Sequence, residues 1–346
     1  MMLNSRFSEC WTFFSLAAAV ICCAVPLGAQ TKFTSFDAPD AGKGIGKGTF
    51  PVCINDDGGI AGQYIDSNNQ SHGFVRSRFG VITEFDPPLT VNTYVSATNQ
   101  LGQIVGSGTY VQNSSEVGFQ RNQNGQFLGL SPPGAVDTYP SAINDPGEVV
   151  GYFSDSAGVV HGFLRDLSGA YTVFDEPEAS SENSQGTFVN GMNYNGAVVG
   201  FYNDAVSGQI HGFVRDQFGN FSSFDPSGSV ATMPTAINLS GQVTGYYRDS
   251  AERNHAFFRD ASGNITSFDV SGSIGTFGNS INDAGVIVGE WNSLSGYLGF
   301  ERSASGNIIS FSASHAGNTD AVSIDRASFI TGWYVDSNNV THGFAK

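Results

Sequence analysis

Apolar residues in this chain come in short bursts separated by turn residues, and the stretch Ala236 to Asp269, "AINLSGQVTGYYRDSAERNHAFFRDASGNITSFD", shows the unit clearly. Its bursts "TAIN", "QVTGYYRD", "HAFFRD" and "NITSFD" are rich in Val, Ile, Phe, Tyr and Thr, which is the composition of strands. Between the first two lies "LSG", replaced elsewhere by "DDG", "DPG" or "DAG", where Asp, Pro and Gly supply the dihedrals of a tight turn. The pattern predicts four antiparallel strands per unit. Tyr246 and Tyr247 must point to opposite faces, because side chains alternate along a strand. Both faces of the unit therefore need cover.

The unit recurs. One glycine column falls at Gly62, Gly106, Gly151, Gly200, Gly245, Gly289 and Gly332, every 43 to 49 residues, so seven copies supply the cover for one another. Stacking four-stranded sheets radially about an axis buries both faces and leaves only short edges. The seventh copy stops at "WYVDSNNVTHGFAK" without its "FD" segment, and "KFTSFDAP", Lys32 to Pro39, holds that segment near the other end. The expectation is an all-β fold: a seven-bladed β-propeller of four-stranded antiparallel blades, its ring closed by an N-terminal strand that completes the C-terminal blade. The glycine of the recurring "HGF" is expected where adjacent blades approach face to face.

The first residues break this pattern. Arg6 lies in a polar start, Thr12 to Val25 is an apolar run too short to span a bilayer, and Pro26 and Ala29 follow at a plausible cleavage point. The reading is a signal peptide over 1–29 and a single propeller domain over 30–346, hence a secreted, extracellular protein with no membrane insertion once the signal is removed. Cys10, Cys22 and Cys23 leave with the signal, so the remaining Cys53 has no internal disulfide partner and reads as a small buried hydrophobe. The formal net charge of −16, with only 13% charged residues and 44 glycines, argues against nucleic acid and anionic lipid as partners.

Candidate chemistry comes from comparing copies within the chain. Five carry an Asp after the glycine column, a His opening the third strand and an Asp closing the fourth: Asp66, His72, Asp86; Asp155, His161, Asp175; Asp204, His211, Asp225; Asp249, His255, Asp269; and Asp336, His342 with Asp37. The second copy has Tyr110, Val117 and Ser131 instead, and the sixth Ser293, Leu298 and Ser312, so the three are kept or lost together. Such a set can bind a metal or move protons. Five equivalent copies fit a scaffold better, with one imidazole bridging two carboxylates, and neither a metal nor a cofactor is expected. An Arg follows each third strand, at Arg76, Arg121, Arg165, Arg215, Arg259 and Arg302, with Lys346 in the last copy, and reads as a strand-end cation answering the acidic loops.

Ligand recognition is expected on the loops that join one copy to the next. They carry Thr followed by an aromatic, at Phe50, Tyr94, Tyr139, Phe188 and Phe277, the last four being candidate rim residues with hydroxyls nearby, while Met233 and Asp320 replace the aromatic in two copies. The longest connection, "EPEASSENSQGTF", adds Glu176, Glu178 and Glu182.

The string "AINDPGEVVGYFSDSAGVVHGFLRD", Ala142 to Asp166, and its counterparts resemble the HAF-repeat family of predicted extracellular bacterial proteins. The tripeptide that names that family occurs at His255, Ala256 and Phe257, with His-Gly-Phe in most other copies. The resemblance implies export and a β-repeat fold, and carries no functional residues with it. The expected function is a secreted, non-catalytic binding module, monomeric, for a glycan or cell-surface partner, with no catalytic residues. The alternative is a secreted carbohydrate-active hydrolase or lyase with its site on the loop face.

Overall fold

The computed structural model describes residues 32–313 and 318–346, and the signal-peptide expectation falls outside them. Phe33–Lys346 forms one compact unit. Its described residues make twenty-eight strands, four per blade and all antiparallel within a blade. Blade 1 comprises Gly48–Ile54, Ile60–Ile65, Ser71–Arg76 and Ile82–Phe85, and blade 5 Ser229–Ile237, Val243–Asp249, Asn254–Arg259 and Ile265–Phe268. Blade 7 takes Thr319–Ile324, Ile330–Val335 and Thr341–Ala345 from the C-terminal end, and its fourth strand is Thr34–Phe36. That strand pairs antiparallel with the third, Thr34 opposite Ala345 and Phe36 opposite Gly343, as the split repeat predicts. Each blade's first strand contacts the next around the axis, including blade 7 with blade 1.

The glycine column has a local cause. The first strand bulges after its proline or equivalent residue, for example between Pro51 and Cys53, which bends the strand at that point. A Cβ on Gly62, Gly151 or Gly245 would overlap the carbonyl oxygen of Phe50, Tyr139 or Met233 in the facing strand. The "HGF" glycine meets the next blade as expected in some copies and its own blade in others. The space over Gly73 and Gly162 is filled first by Phe85 and Phe174 of the same blade's fourth strand, while at Gly118, Gly212 and Gly343 the next blade's Pro140, Pro234 and Pro51 press about as close.

The phenylalanine of "HGF" and its counterparts, Phe74, Phe163, Phe213, Phe257, Phe300 and Phe344, is fully buried between blades. Each contributes about 2 to 3 kcal/mol by leaving water. The recurring Arg is part of this core rather than a partner of acidic loops. Its guanidinium sits 4.6–4.9 Å from the centroid of the preceding blade's fourth-strand Phe in the pairs Arg76–Phe36, Arg121–Phe85, Arg215–Phe174, Arg259–Phe224 and Arg302–Phe268. Blade 2 ends in Leu130, and Arg165 beside it is outside this set of stacked pairs. Thus the Phe of the "FD" segment packs under the next blade's Arg, while the Asp bonds its own blade's His and, at Asp86 and Asp225, the next blade's Thr as well.

Candidate functional site

The His and the late Asp pair as spacing predicts, whereas the early Asp comes within hydrogen-bond distance of the ring only in blade 5. Nδ1 of His72, His161, His255 and His342 lies 2.8–3.0 Å from Asp86, Asp175, Asp269 and Asp37. On the opposite ring edge, Nε2 of the same four lies 3.9, 3.6, 3.2 and 3.6 Å from Asp66, Asp155, Asp249 and Asp336. Blade 4 differs, because Asp204 turns to Ser207 while His211 keeps Asp225. The early Asp has a second duty: Asp66 Oδ1 accepts from the backbone N–H of Asn68 and Gln70, closing the turn. Two carboxylates on opposite edges of one imidazole share no common point, so the geometry is that of a bridge, not a chelate. Among the described residues no group of His, Cys, Asp or Glu is arranged to hold a metal ion.

The bridge at His255 responds to pH. Burial of the His255 ring opposes its charge, but hydrogen bonds and charge from Asp269 and Asp249 outweigh it and raise its pKa. A raised imidazole stabilises the fold fully below its unfolded pKa of about 6.5, and the gain is lost as pH rises through the folded value. His255→Gln should therefore melt further below the parent at pH 5.5 than at pH 8.5, by about 1 kcal/mol at the lower pH. Equal losses at both would show that charge is not involved.

The recurring threonines are not at the rim. Thr49, Thr93, Thr187, Thr232, Thr276 and Thr319 are fully buried, and their hydroxyls take the exit of the preceding blade. Thr49, Thr187 and Thr276 accept from the backbone N–H of Ala38, Glu176 and Val270, and Thr93 donates to Asp86.

The aromatic positions that follow them divide. Tyr139 stacks on Tyr152 at 5.0 Å, and burial followed by the charges of Asp137 and Glu116 pushes its phenol up to about 12. Phe188 stacks on Phe201 at 4.7 Å and meets Tyr152 of the preceding blade at 5.3 Å. Phe277 meets Tyr246 of the preceding blade at 5.0 Å. Those three are committed to packing. Tyr94 is 41% exposed and, with Phe50, flanks a cavity of about 320 Å³ whose other walls include Gln63, Asn69, Ser71 and Asn92. This cavity lies at blades 1 and 2, beside the copy that lacks the His set.

Of the acidic candidates, Glu176 and Glu178 meet at Tyr202, both already engaged in hydrogen bonds. Glu176 is 5% exposed, and its carboxylate accepts from the Ser223 hydroxyl and the Glu178 backbone N–H. Glu178 accepts from the Tyr202 hydroxyl, whose pKa burial pushes up to about 12. Glu182 is exposed. The insertion that carries them instead ties blades 3 and 4 together, with Val160 N–H donating to Gln185 and Ser180 N–H to Asn203. A similar extended connection after Asp37 lines a cavity of about 540 Å³ with Lys43, Asp336 and His342.

Two carboxyls that sequence reasoning left aside also converge. Asp320 stands where other copies have the rim aromatic, and Glu290 stands opposite Phe277 in the second strand of blade 6, where neighbours have Tyr246 and Trp333. Burial, then the charge of Glu290, pushes Asp320 up to about 8, against the opposing hydrogen bond from Asn279 Nδ2 at 2.9 Å. Glu290 is itself raised by burial. The phenol of Tyr297 is raised by burial and by both carboxyls, and its ring stands edge-on to Trp333 at 5.8 Å. The sequence signal was available: two adjacent copies replace an aromatic by an acid at facing positions.

At the other end of the axis, all seven blades line a polar cavity of about 180 Å³. Arg326 of blade 7 binds Asp56 of blade 1 at 3.1 Å, Asp283 of blade 6 at 2.8 Å and Asp145 of blade 3 at 3.5 Å. One guanidinium thus spans the axis and links four blades.

No family model matches the chain, and no curated protein matches its sequence. Solved structures do. The β-propeller domain of the Trilobed protease from Pyrococcus furiosus is similar with a TM-score of 0.64 at 10% identity, over 86% of this chain and 92% of that one. A lectin from Burkholderia pseudomallei gives 0.54 at 9% identity, over 83% of this chain and 91% of that one. The acylaminoacyl peptidase of Pyrococcus horikoshii gives 0.57 at 7% identity, and the match spans 86% of this chain but 51% of that enzyme. At these identities the likeness is one of fold, and the fold is a β-propeller.

Proposed function

We propose that this propeller is a secreted, monomeric, non-catalytic binding module that takes a glycan of a cell surface on its loop face. The observation that carries the reading is Tyr94, which is 41% exposed beside Phe50 and a set of side-chain amides, while Tyr139, Phe188 and Phe277 are packed against neighbouring rings. A flat apolar face flanked by amide donors and acceptors is the chemistry that holds a sugar ring. The resemblance to the HAF-repeat family supports export. The matched lectin of the same fold is in keeping with glycan binding.

A glycan array tests this directly. The parent protein should retain a defined subset of glycans, and Tyr94→Ala should weaken that binding about tenfold, the worth of one stacked ring. Capture of no glycan by the parent, or equal binding by the variant, would sink the proposal. The second reading, a carbohydrate-active hydrolase or lyase, rests on Glu290 and Asp320, since a carboxyl kept protonated beside a second acid is suited to proton transfer. Cleavage of arrayed glycans that Asp320→Asn abolishes would favour it.

A further inference from the structure

One residue type recurs on the axis-facing turn between first and second strands: Asn55, Asn99, Asn144, Asn193, Asn238, Asn282 and, in blade 7, Asp325. All seven use Oδ1 in the same way, accepting the backbone N–H four residues later at 2.8–3.0 Å. This closes each turn and fixes the orientation of the second side-chain atom.

In the six asparagines that second atom is Nδ2, and it donates to the neighbouring blade. Asn55, Asn99, Asn193, Asn238 and Asn282 reach the carbonyl of the equivalent residue in the next blade at 3.0–3.2 Å, and Asn144 reaches Tyr194 at 3.5 Å. The links run in one direction around the axis. Asn282 ends on the carbonyl of Asp325, so the link still to be made is from Asp325 to blade 1. At that place stands Oδ2 of Asp325, an atom without a hydrogen-bond partner in a side chain that is 3% exposed.

An ionised carboxylate has no proton to donate, and it would face the lone pairs of a carbonyl in a buried site. A protonated one has the donor that the position requires. We propose that Asp325 is the proton-dependent link of this girdle: protonated, its hydroxyl donates to the carbonyl of Asn55, and ionised, it opens the junction between blades 7 and 1. The inference goes beyond the proposed binding function and stands independently of it.

The charges around Asp325 are consistent with this. Burial, with the negative charge of Asp56 from blade 1, raises its pKa against the backbone N–H groups of Phe329, Ala327 and Ser328. Arg326 next to it is engaged by Asp56, Asp145 and Asp283, so the nearest cation is already compensated. From blade 6 the facing group is Asn282, which is neutral. The fold therefore holds a proton on Asp325 over a pH range in which the unfolded chain has released it, and stability from this residue falls as pH rises through that range.

Asparagine at 325 makes the link without a proton. Asp325→Asn should melt higher than the parent at pH 7 to 8, by roughly 2 °C, and the advantage should vanish toward pH 4. Asp325→Leu, which loses the turn bond as well, should melt lower at every pH. A direct measurement on the parent protein is the ¹³C NMR titration of the Asp325 carboxyl, with a midpoint expected above the usual carboxylate range. An Asp325→Asn protein that melts with the parent at all pH values, or a carboxyl that titrates at the ordinary value of about 3.9, would overturn the proposal.

Discussion

A chain lacking Lys32 to Asp37 should lose most of its cooperative stability, although it retains every residue of blades 1 to 6. The segment supplies the fourth strand of blade 7, and its side chains reach further than its three backbone pairs suggest. Phe33 packs at 5.6 Å against both Phe311 and Phe344, joining the core between blades 6 and 7. Phe36 meets Phe74 at 6.1 Å and carries the Arg76 guanidinium at 4.7 Å, which ties blade 7 to blade 1. Asp37 completes the bridge to His342 at 2.9 Å.

Two phenylalanines at about 2 kcal/mol each, with several hydrogen bonds near 1 kcal/mol each, approach the 5 to 15 kcal/mol that holds a typical domain together. Calorimetry should show a melting transition that is broadened and displaced downward by well over 10 °C. A truncated chain melting within a few degrees of the parent would mean that the C-terminal strands hold blade 7 without their N-terminal partner.

The second large effect is expected at Asp320. Its folded pKa of about 8 stands against about 3.9 for an unfolded aspartate, so across that interval the fold keeps a proton that the unfolded chain has lost. Stability then falls as pH rises from about 4 to 8 and levels off above, where both states are ionised. Glu290 is linked to the same titration, so the two carboxyls lose protons as a pair. Asp320→Asn removes the charge and keeps the contact with Asn279, because the new amide can present its oxygen to Asn279 Nδ2.

Denaturant unfolding at pH 8 should show Asp320→Asn more stable than the parent by about 2 to 4 kcal/mol, with little difference at pH 4. Glu290→Gln should act in the same direction by relieving its neighbour. Parallel stability curves for parent and variants would show that the pair does not share a buried proton. The cost of holding this pair exceeds what packing requires, since Phe277, Tyr246 and Phe188 show that an aromatic fits the equivalent positions.

How far the chain could be read from its sequence depended on the range of the interaction involved. Strand number, blade count and the split seventh repeat were legible, because alternation and turn residues act within a few positions and the repeat writes them seven times. So were the His-Asp bridges, whose members lie on adjacent strands of one hairpin. The arginine column was legible as a pattern but not as a contact: its partner phenylalanine sits on the preceding blade. The candidate rim divided for the same reason, with Tyr139, Phe188 and Phe277 stacked away and Tyr94 left open by the smaller Ser107 opposite it.

The sequence by itself determined the blade, because period-two alternation, tight-turn residues and the glycine column are satisfied inside one repeat. Only the tertiary structure decided which side chains remain free to act. Burial of Glu176, the meeting of Glu290 with Asp320, the clasp of Arg326 on three aspartates and the orphaned oxygen of Asp325 all arise between blades, from residues brought together across one repeat or more. Desolvation and charge at those junctions depend on distances in space that no local pattern encodes.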